Sequence, residues 1–219
     1  MSILVLTSCT ASKVLGAGAD PIVAERLYVG RQHQRLMAGV DVYRRAGEPA
    51  GHLDLAIVSA GHGVLAGDQS VASYDQTFVG LTRTALRARA VELGIPTAVR
   101  ELLARPYRLA LILLGEDYLR AAALDDAVAL GAPTIAFTSP NAGARLPQVD
   151  GLSVVRLHNR EARRFSCGLI GLKGELAARI LRRLATSPES PVPRDEDSML
   201  RWLDSANPAP ALTLPLAAA

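Results

Sequence analysis

A chain of 219 residues, 49% hydrophobic with 18 glycines and 13 prolines, holds enough apolar mass for one sizeable core and falls short of two. Its 24 basic and 21 acidic residues give a formal net charge of +3 and are interspersed rather than blocked, so charge permits nucleic-acid binding without requiring it. Two cysteines without paired spacing exclude a disulfide framework, MSILVLTSC lacks the features of a signal peptide, and no apolar run reaches the roughly 18 residues of a membrane span. A cytoplasmic protein with free thiols and no membrane partner is expected.

Short runs rich in branched residues recur at 3–6, 53–58, 109–114, 134–137 and 152–157. Their apolarity is continuous rather than alternating, as strands covered on both faces require, and predicts about five strands of a mostly parallel sheet. Helical patterns fill the gaps. Residues 31–45 carry Leu36, Val40 and Tyr43 on one stripe, 81–93 stop at Gly94, and 96–104 open on Pro96, which suits a first helical turn. A further helix is expected over 117–130, closed by Gly131. A long one follows over 169–184, with Leu169, Leu172, Leu176, Ile180 and Leu184 on one face and Lys173, Arg179, Arg182 and Arg183 on the other. Strands alternating with helices predict an α/β fold, a three-layer sandwich, filling residues 1–186 as one domain. Residues 187–219 read as a Pro/Ser linker, a short helix near 198–203 with the one tryptophan, and a flexible Pro/Ala tail.

In parallel sheets, ligands gather beyond the carboxyl ends of the strands, where loops and helix N-termini converge. The first strand runs into Thr7-Ser8-Cys9-Thr10-Ala11-Ser12-Lys13, with four hydroxyls, a thiol and an amine in seven residues. Ser8, Thr10 and Lys13 suit gripping an anion or a base edge, although Ser and Thr also favour simple capped turns. Cys9 is a candidate nucleophile if a nearby cation favours its thiolate; the alternative is a buried inert thiol. The second strand ends in Ser59-Ala60-Gly61-His62-Gly63, where two glycines permit a tight turn and close backbone approach to a ligand, with His62 as a proton carrier. Tyr74 and Asp75 lie in a long polar loop and are expected in the site wall. Tyr28 precedes the first long helix, and His33 in its first turn faces inward, as a site residue or a satisfied core histidine. The third strand ends in Gly115-Glu116-Asp117-Tyr118, read either as helix capping by two acids or as ligand approach to Gly115 and Glu116 with Tyr118 stacking. His33, His62, His158 and Cys9 lack metal-ligand spacing, so neither metal nor cofactor is expected, and no phosphate-loop, dinucleotide or hydrolase-elbow motif occurs.

The ordered set SCTASK, ERLYVGRQHQRL, LAIVSAGHGVL, the Ser73-Tyr74-Asp75 triplet and LILLGEDYL spans roughly residues 3 to 125. It resembles the YaaA-type peroxide-stress proteins. More distantly it is similar to the catalytic domain of archaeosine synthase, which acts on a deazaguanine base in tRNA. Cys9 and Lys13 keep that domain's Cys-to-Lys spacing, and Tyr28 and His33 match its later Tyr and His. Ser8 stands where that domain has Pro, and Lys13 lies far from Tyr28 where that domain has the two almost adjacent.

The resemblance implies an enzyme that binds a purine-like or deazapurine base, free or in nucleic acid, and modifies or transfers it. Cys9 or a bound water would be nucleophile, His62 or His33 would move protons, Asp75 would hydrogen-bond the base, and Tyr28, Tyr74 or Tyr118 would stack on it. Two other classes stay open: a non-enzymatic nucleic-acid-binding stress protein using the arginine-rich face of the last long helix, and a small nucleoside hydrolase or transferase.

Overall fold

Successive residues of the apolar runs face opposite ways: Ile3 and Val5 enter one buried cluster, Leu4 and Leu6 another. A strand can fill two cores only if both faces of its sheet are covered, and the computed structural model, which describes residues 2–14, 20–48 and 50–205, has that arrangement. The chain forms β1 (Ser2–Ser8), β2 (Ile22–Val23), α1 (Ala24–Leu27), α2 (Arg31–Ala46) and β3 (His52–Ser59). There follow β4 (Gly63–Ala66), β5 (Ser70–Val71), α3 (Arg83–Glu92), α4 (Ile95–Ala104), β6 (Leu109–Ile112) and α5 (Glu116–Ala122). The last elements are β7 (Thr134–Thr138), α6 (Pro140–Gly143), β8 (Leu152–Arg156), α7 (Asn159–Arg164), α8 (Leu169–Thr186) and α9 (Glu196–Asp204).

The main sheet runs β4-β3-β1-β6-β7-β8, with only β4 antiparallel. Helices α2, α8 and α9 cover one face, α3, α4 and α5 the other, which makes the expected three-layer α/β sandwich. Beyond the five expected strands, β4 returns as a hairpin on β3, and β2 pairs with β5 in a separate ribbon. From β1 the chain goes outward to β3 on one side and later to β6 on the other, so the order reverses between β1 and β6. Crevices for ligands open beyond the carboxyl ends at such a reversal.

Two expected helices differ from their patterns. α5 stops at Ala122 rather than near residue 130, because Ala123 turns left-handed (φ 49°) and its carbonyl is held by Arg100, which also pairs with Asp125 at 2.7 Å. α9 is no loose appendage: Met199, Leu200 and Leu203 are buried in the α2–α8 core, and Arg183 stacks on Trp202 at 4.3 Å. The Pro/Ala stretch after Ser205 lies outside the described residues. No helix among the described residues is long and apolar enough to cross a membrane.

Candidate active site

The carboxyl end of β1 is pinned from both sides. The Cys9 N–H extends the parallel ladder by donating to the Val58 carbonyl at 2.9 Å, and Leu113 N–H donates to Leu6 at 2.8 Å. The buried Cys9 thiol is thereby fixed where the strand order reverses, and its Sγ lies 2.8 Å from the Tyr118 hydroxyl. Tyr118, in the first turn of α5, packs against both apolar layers and lies edge-on to Phe78 at 5.2 Å. Its ring thus lies across the strand ends between the two apolar layers.

Beyond Cys9 the chain folds back on the segment before α2: Val14 N–H donates to Leu27, Val29 N–H donates to Ser12, and Lys13 bridges to Tyr28. The Thr10 hydroxyl donates to Ser12 and accepts the Gly30 N–H at 3.2 Å, fastening the turn to the start of α2. Ser8 is buried at the end of β1.

The turn after β3 is organised by one hydroxyl. Ser59 Oγ donates to the Tyr74 hydroxyl at 2.7 Å while accepting the N–H groups of Gly61 (3.2 Å) and His62 (3.0 Å). The Tyr74 hydroxyl lies 3.1 Å from that of Tyr28. Gly61 is required for close approach, but the group that approaches is Tyr74: a Cβ there would stand 2.5 Å from the ring. Gly63 has φ +78° and abuts the Leu93 carbonyl, so the close approaches that both glycines permit are filled by the protein's own groups. His62 is exposed, edge-on to Tyr74 at 4.8 Å, with Nε2 3.0 Å from the Ala72 carbonyl. Lys13 Nζ lies over the other side of this grouping, 4.4 Å from the Tyr74 ring centroid.

Cys9, Lys13, Tyr28, Ser59, His62, Tyr74 and Tyr118 are therefore brought together. Burial raises the phenol pKa values of Tyr28, Tyr74 and Tyr118, and the neighbouring Cys9 sulfur adds to the effect. All three stay neutral hydroxyls, each able to donate and accept.

Other candidates flank this group or turn away from it. His33 is buried, its Nε2 2.7 Å from the Glu25 carbonyl and its ring edge-on to Tyr28 at 5.9 Å. Burial lowers its pKa against the pull of Glu25, so a neutral His33 positions Tyr28. Asp75 is exposed beside Tyr74. Gly115 caps α5 and leaves ordinary van der Waals room for Tyr118. Glu116 turns away to Arg120 and Arg145 in a separate cleft.

Two groups at these strand ends go beyond the sequence expectations. Gln32 Nε2 donates to the Leu113 carbonyl at 3.0 Å and approaches Thr7 at 3.4 Å, and Lys173 Nζ donates to the Leu114 carbonyl at 2.5 Å. Lys173 was placed with the arginines opposite the apolar stripe of α8, yet it points to the end of β6, and burial lowers its pKa to about 8. The sequence signal was Gly171 and Gly174 flanking it, small residues that let one helix press on another. The arginines of that face are also engaged: Arg179 lies over Phe165 and donates to Leu203, and Arg183 lies over Trp202 and donates to its carbonyl. That face is partly covered by α7 and α9. Among the described residues no cluster of three or more metal-ligating side chains occurs.

Compared with known proteins, the chain matches no family model, no curated protein and no solved structure.

Proposed function

We propose that this chain is an enzyme that binds a purine-like or deazapurine base, free or within nucleic acid, and modifies or transfers it, with Cys9 as nucleophile. One observation carries the reading: the Cys9 thiol meets the Tyr118 hydroxyl at 2.8 Å at the strand ends where the order reverses. Around that contact stand two more neutral phenols. Aromatic faces with hydroxyls that both donate and accept suit a flat, heteroatom-rich ring better than a sugar or an acyl chain. The resemblance of the SCTASK, LYVG and AGHG segments to YaaA-type proteins, and of Cys9, Lys13, Tyr28 and His33 to archaeosine synthase, points the same way.

In the proposed step the Cys9 sulfur adds to an electrophilic carbon of the base or its substituent. As the C–S bond forms, the π pair moves onto the adjacent nitrogen. The thiol proton passes to the Tyr118 oxygen, which releases its own proton to that nitrogen, so no charge is left in the buried site. Lys13 and His62, both beside Tyr74, stand at the edge of this group, His62 exposed to solvent.

The test is a thermal-shift panel of guanine, 7-deazaguanine, adenine and their ribonucleosides. A ligand at 100 times its Kd adds about 2.7 kcal/mol to stability, about 5–10 °C for a domain of this size. At least one base should give such a shift, and Cys9→Ser should keep the shift while losing the covalent adduct seen by mass spectrometry. A panel-wide null, or an adduct that survives Cys9→Ser, refutes the proposal.

A further inference from the structure

Glu116 was expected to touch ligand at the thiol site, and its actual surroundings describe a different place. Its Oε1 accepts from Arg120 at 2.5 Å and from Arg145 at 2.6 Å, and Asp117 holds Arg120 from the other side at 2.7 Å. One carboxylate thus keeps two guanidiniums, from α5 and from the segment after α6, close together despite their like charge. They form one wall of a cleft of about 520 Å³. The facing wall is the first turns of α3, with Arg83 and Arg87. Both are exposed and have no ion pair among the described residues. Four guanidiniums therefore face two carboxylates that are already engaged, and Leu86 and Leu119 supply an apolar floor.

A protein gains nothing in stability by lining a hollow with unpaired like charges, since their mutual repulsion opposes folding. An anion relieves that repulsion. Guanidiniums present planar forks that fit the oxygens of a phosphate two at a time. The N-terminus of α3, whose Thr82 side chain caps only the Ala85 N–H, leaves further amides and the positive end of the helix dipole on the same wall. An apolar floor beneath cationic walls suits a phosphate attached to a larger, less polar body.

We infer that this cleft is a binding site for a phosphate-bearing ligand, distinct from the thiol site. Both lie on the carboxyl rim of the sheet and share α5, whose Tyr118 reaches Cys9 while its Glu116 and Arg120 line the cleft. Phosphate binding here does not depend on any reaction at Cys9.

The experiment measures binding of pyrophosphate, ADP and a fluorescently labelled single-stranded 12-mer DNA by titration at two salt concentrations. The variants are the full chain, Arg83→Ala/Arg87→Ala, and the charge-matched control Arg31→Ala/Arg45→Ala on the exposed side of α2. All four substituted residues are exposed, so the variants should melt with the parent, which circular dichroism checks. The inference expects at least one probe to bind, more weakly at higher salt, with affinity about tenfold or more lower in the cleft variant. The control should change it less than about twofold. ADP bound without DNA identifies a free nucleotide as the source of the phosphate, and DNA bound without ADP identifies a nucleic-acid backbone. Failure of every probe to bind, or equal weakening by the control pair, overturns the inference.

Discussion

The contact between α2 and α8 is close enough to predict what one methyl group does to it. A Cβ on Gly174 would stand 2.1 Å from the Gln32 carbonyl oxygen and 3.2 Å from the Leu36 nitrogen, where ordinary contact begins near 3.4 Å. These are backbone atoms of a packed helix, so α8 must move by more than an ångström. Helix propensity favours Gly174→Ala by about 1 kcal/mol, but overpacking of a well-filled core costs about 1–3 kcal/mol and more when backbone must shift. The seam extends to Gly39, where a Cβ would meet Ala178 Cα at 2.4 Å, so the helices cannot pivot about a looser neighbour. The steric cost wins, by about 1–2 kcal/mol net. At about 2–4 °C per kcal/mol for a domain of this length, Tm should fall by about 2–8 °C in a two-state thermal melt. The same displacement carries Lys173 and Gln32 off the Leu114 and Leu113 carbonyls, so base-dependent thermal shifts should shrink as well. A Tm equal to or above the parent's would refute the reasoning, because propensity alone would then account for the change.

Lys173 predicts a pH signature. Its pKa is lowered from 10.5 to about 8, so between those values the unfolded chain binds more protons than the folded one and stability rises with pH. Below pH 8 both states carry the proton and the burial penalty is full. Compared with Lys173→Met at each pH, the parent should gain about 1–3 kcal/mol from pH 8 to pH 10, and a flat difference in urea-melt free energies would contradict this. Gly61→Ala drives a methyl into the Tyr74 ring at 2.5 Å and should abolish the base-dependent thermal shift; an unchanged shift would show that Tyr74 takes no part in binding. Arg183→Ala removes the stack on Trp202 and the 2.7 Å donation to its carbonyl. It should cost about 1–2 kcal/mol and move the emission of the sole tryptophan to the red; an unshifted spectrum would mean that α9 is held by its apolar face alone.

The layers of this fold were legible because each strand announces itself twice, by branched residues and by two-sided apolarity, as at residues 3–6 and 53–58. β4 was not, since Gly63–Ala66 is short and lies at an edge, and its pairing is set by the hairpin geometry at Gly61 and Gly63 rather than by composition. Cys9, Ser59 and Tyr118 were legible as neighbours because sheet topology sends strand ends to one place, and Tyr74 because a long polar loop follows them. Lys173 escaped because its role depends on how α8 lies across α2, a long-range contact that periodicity reads only as one face or the other. Gly63 misled for the opposite reason. A glycine signals that something comes close, and here that something is the Leu93 carbonyl.

The distribution of charge along the rim restricts what kind of molecule fits both sites. Within the thiol site Cys9, Tyr28, Tyr74, Tyr118 and Ser59 present neutral hydrogen-bonding groups under burial that raises the phenol pKa values, and a charged ligand atom set among them would lose hydration without a counter-ion. The full charges at its edges are the ammonium of Lys13 on the Tyr74 ring and the amine of Lys173 on the Leu114 carbonyl, neither of them ion-paired to a carboxylate among the described residues. Farther out along α5 come the guanidiniums of the cleft. A molecule matched to this gradient has a neutral planar part that enters the phenol site and anionic groups that stay outside it. Nucleotides have that polarity and free nucleobases have half of it. Adding a 5′-phosphate to a base that binds at the thiol site should therefore strengthen binding if one molecule reaches both sites. Equal affinity for nucleoside and nucleotide would mean that the two sites serve separate ligands.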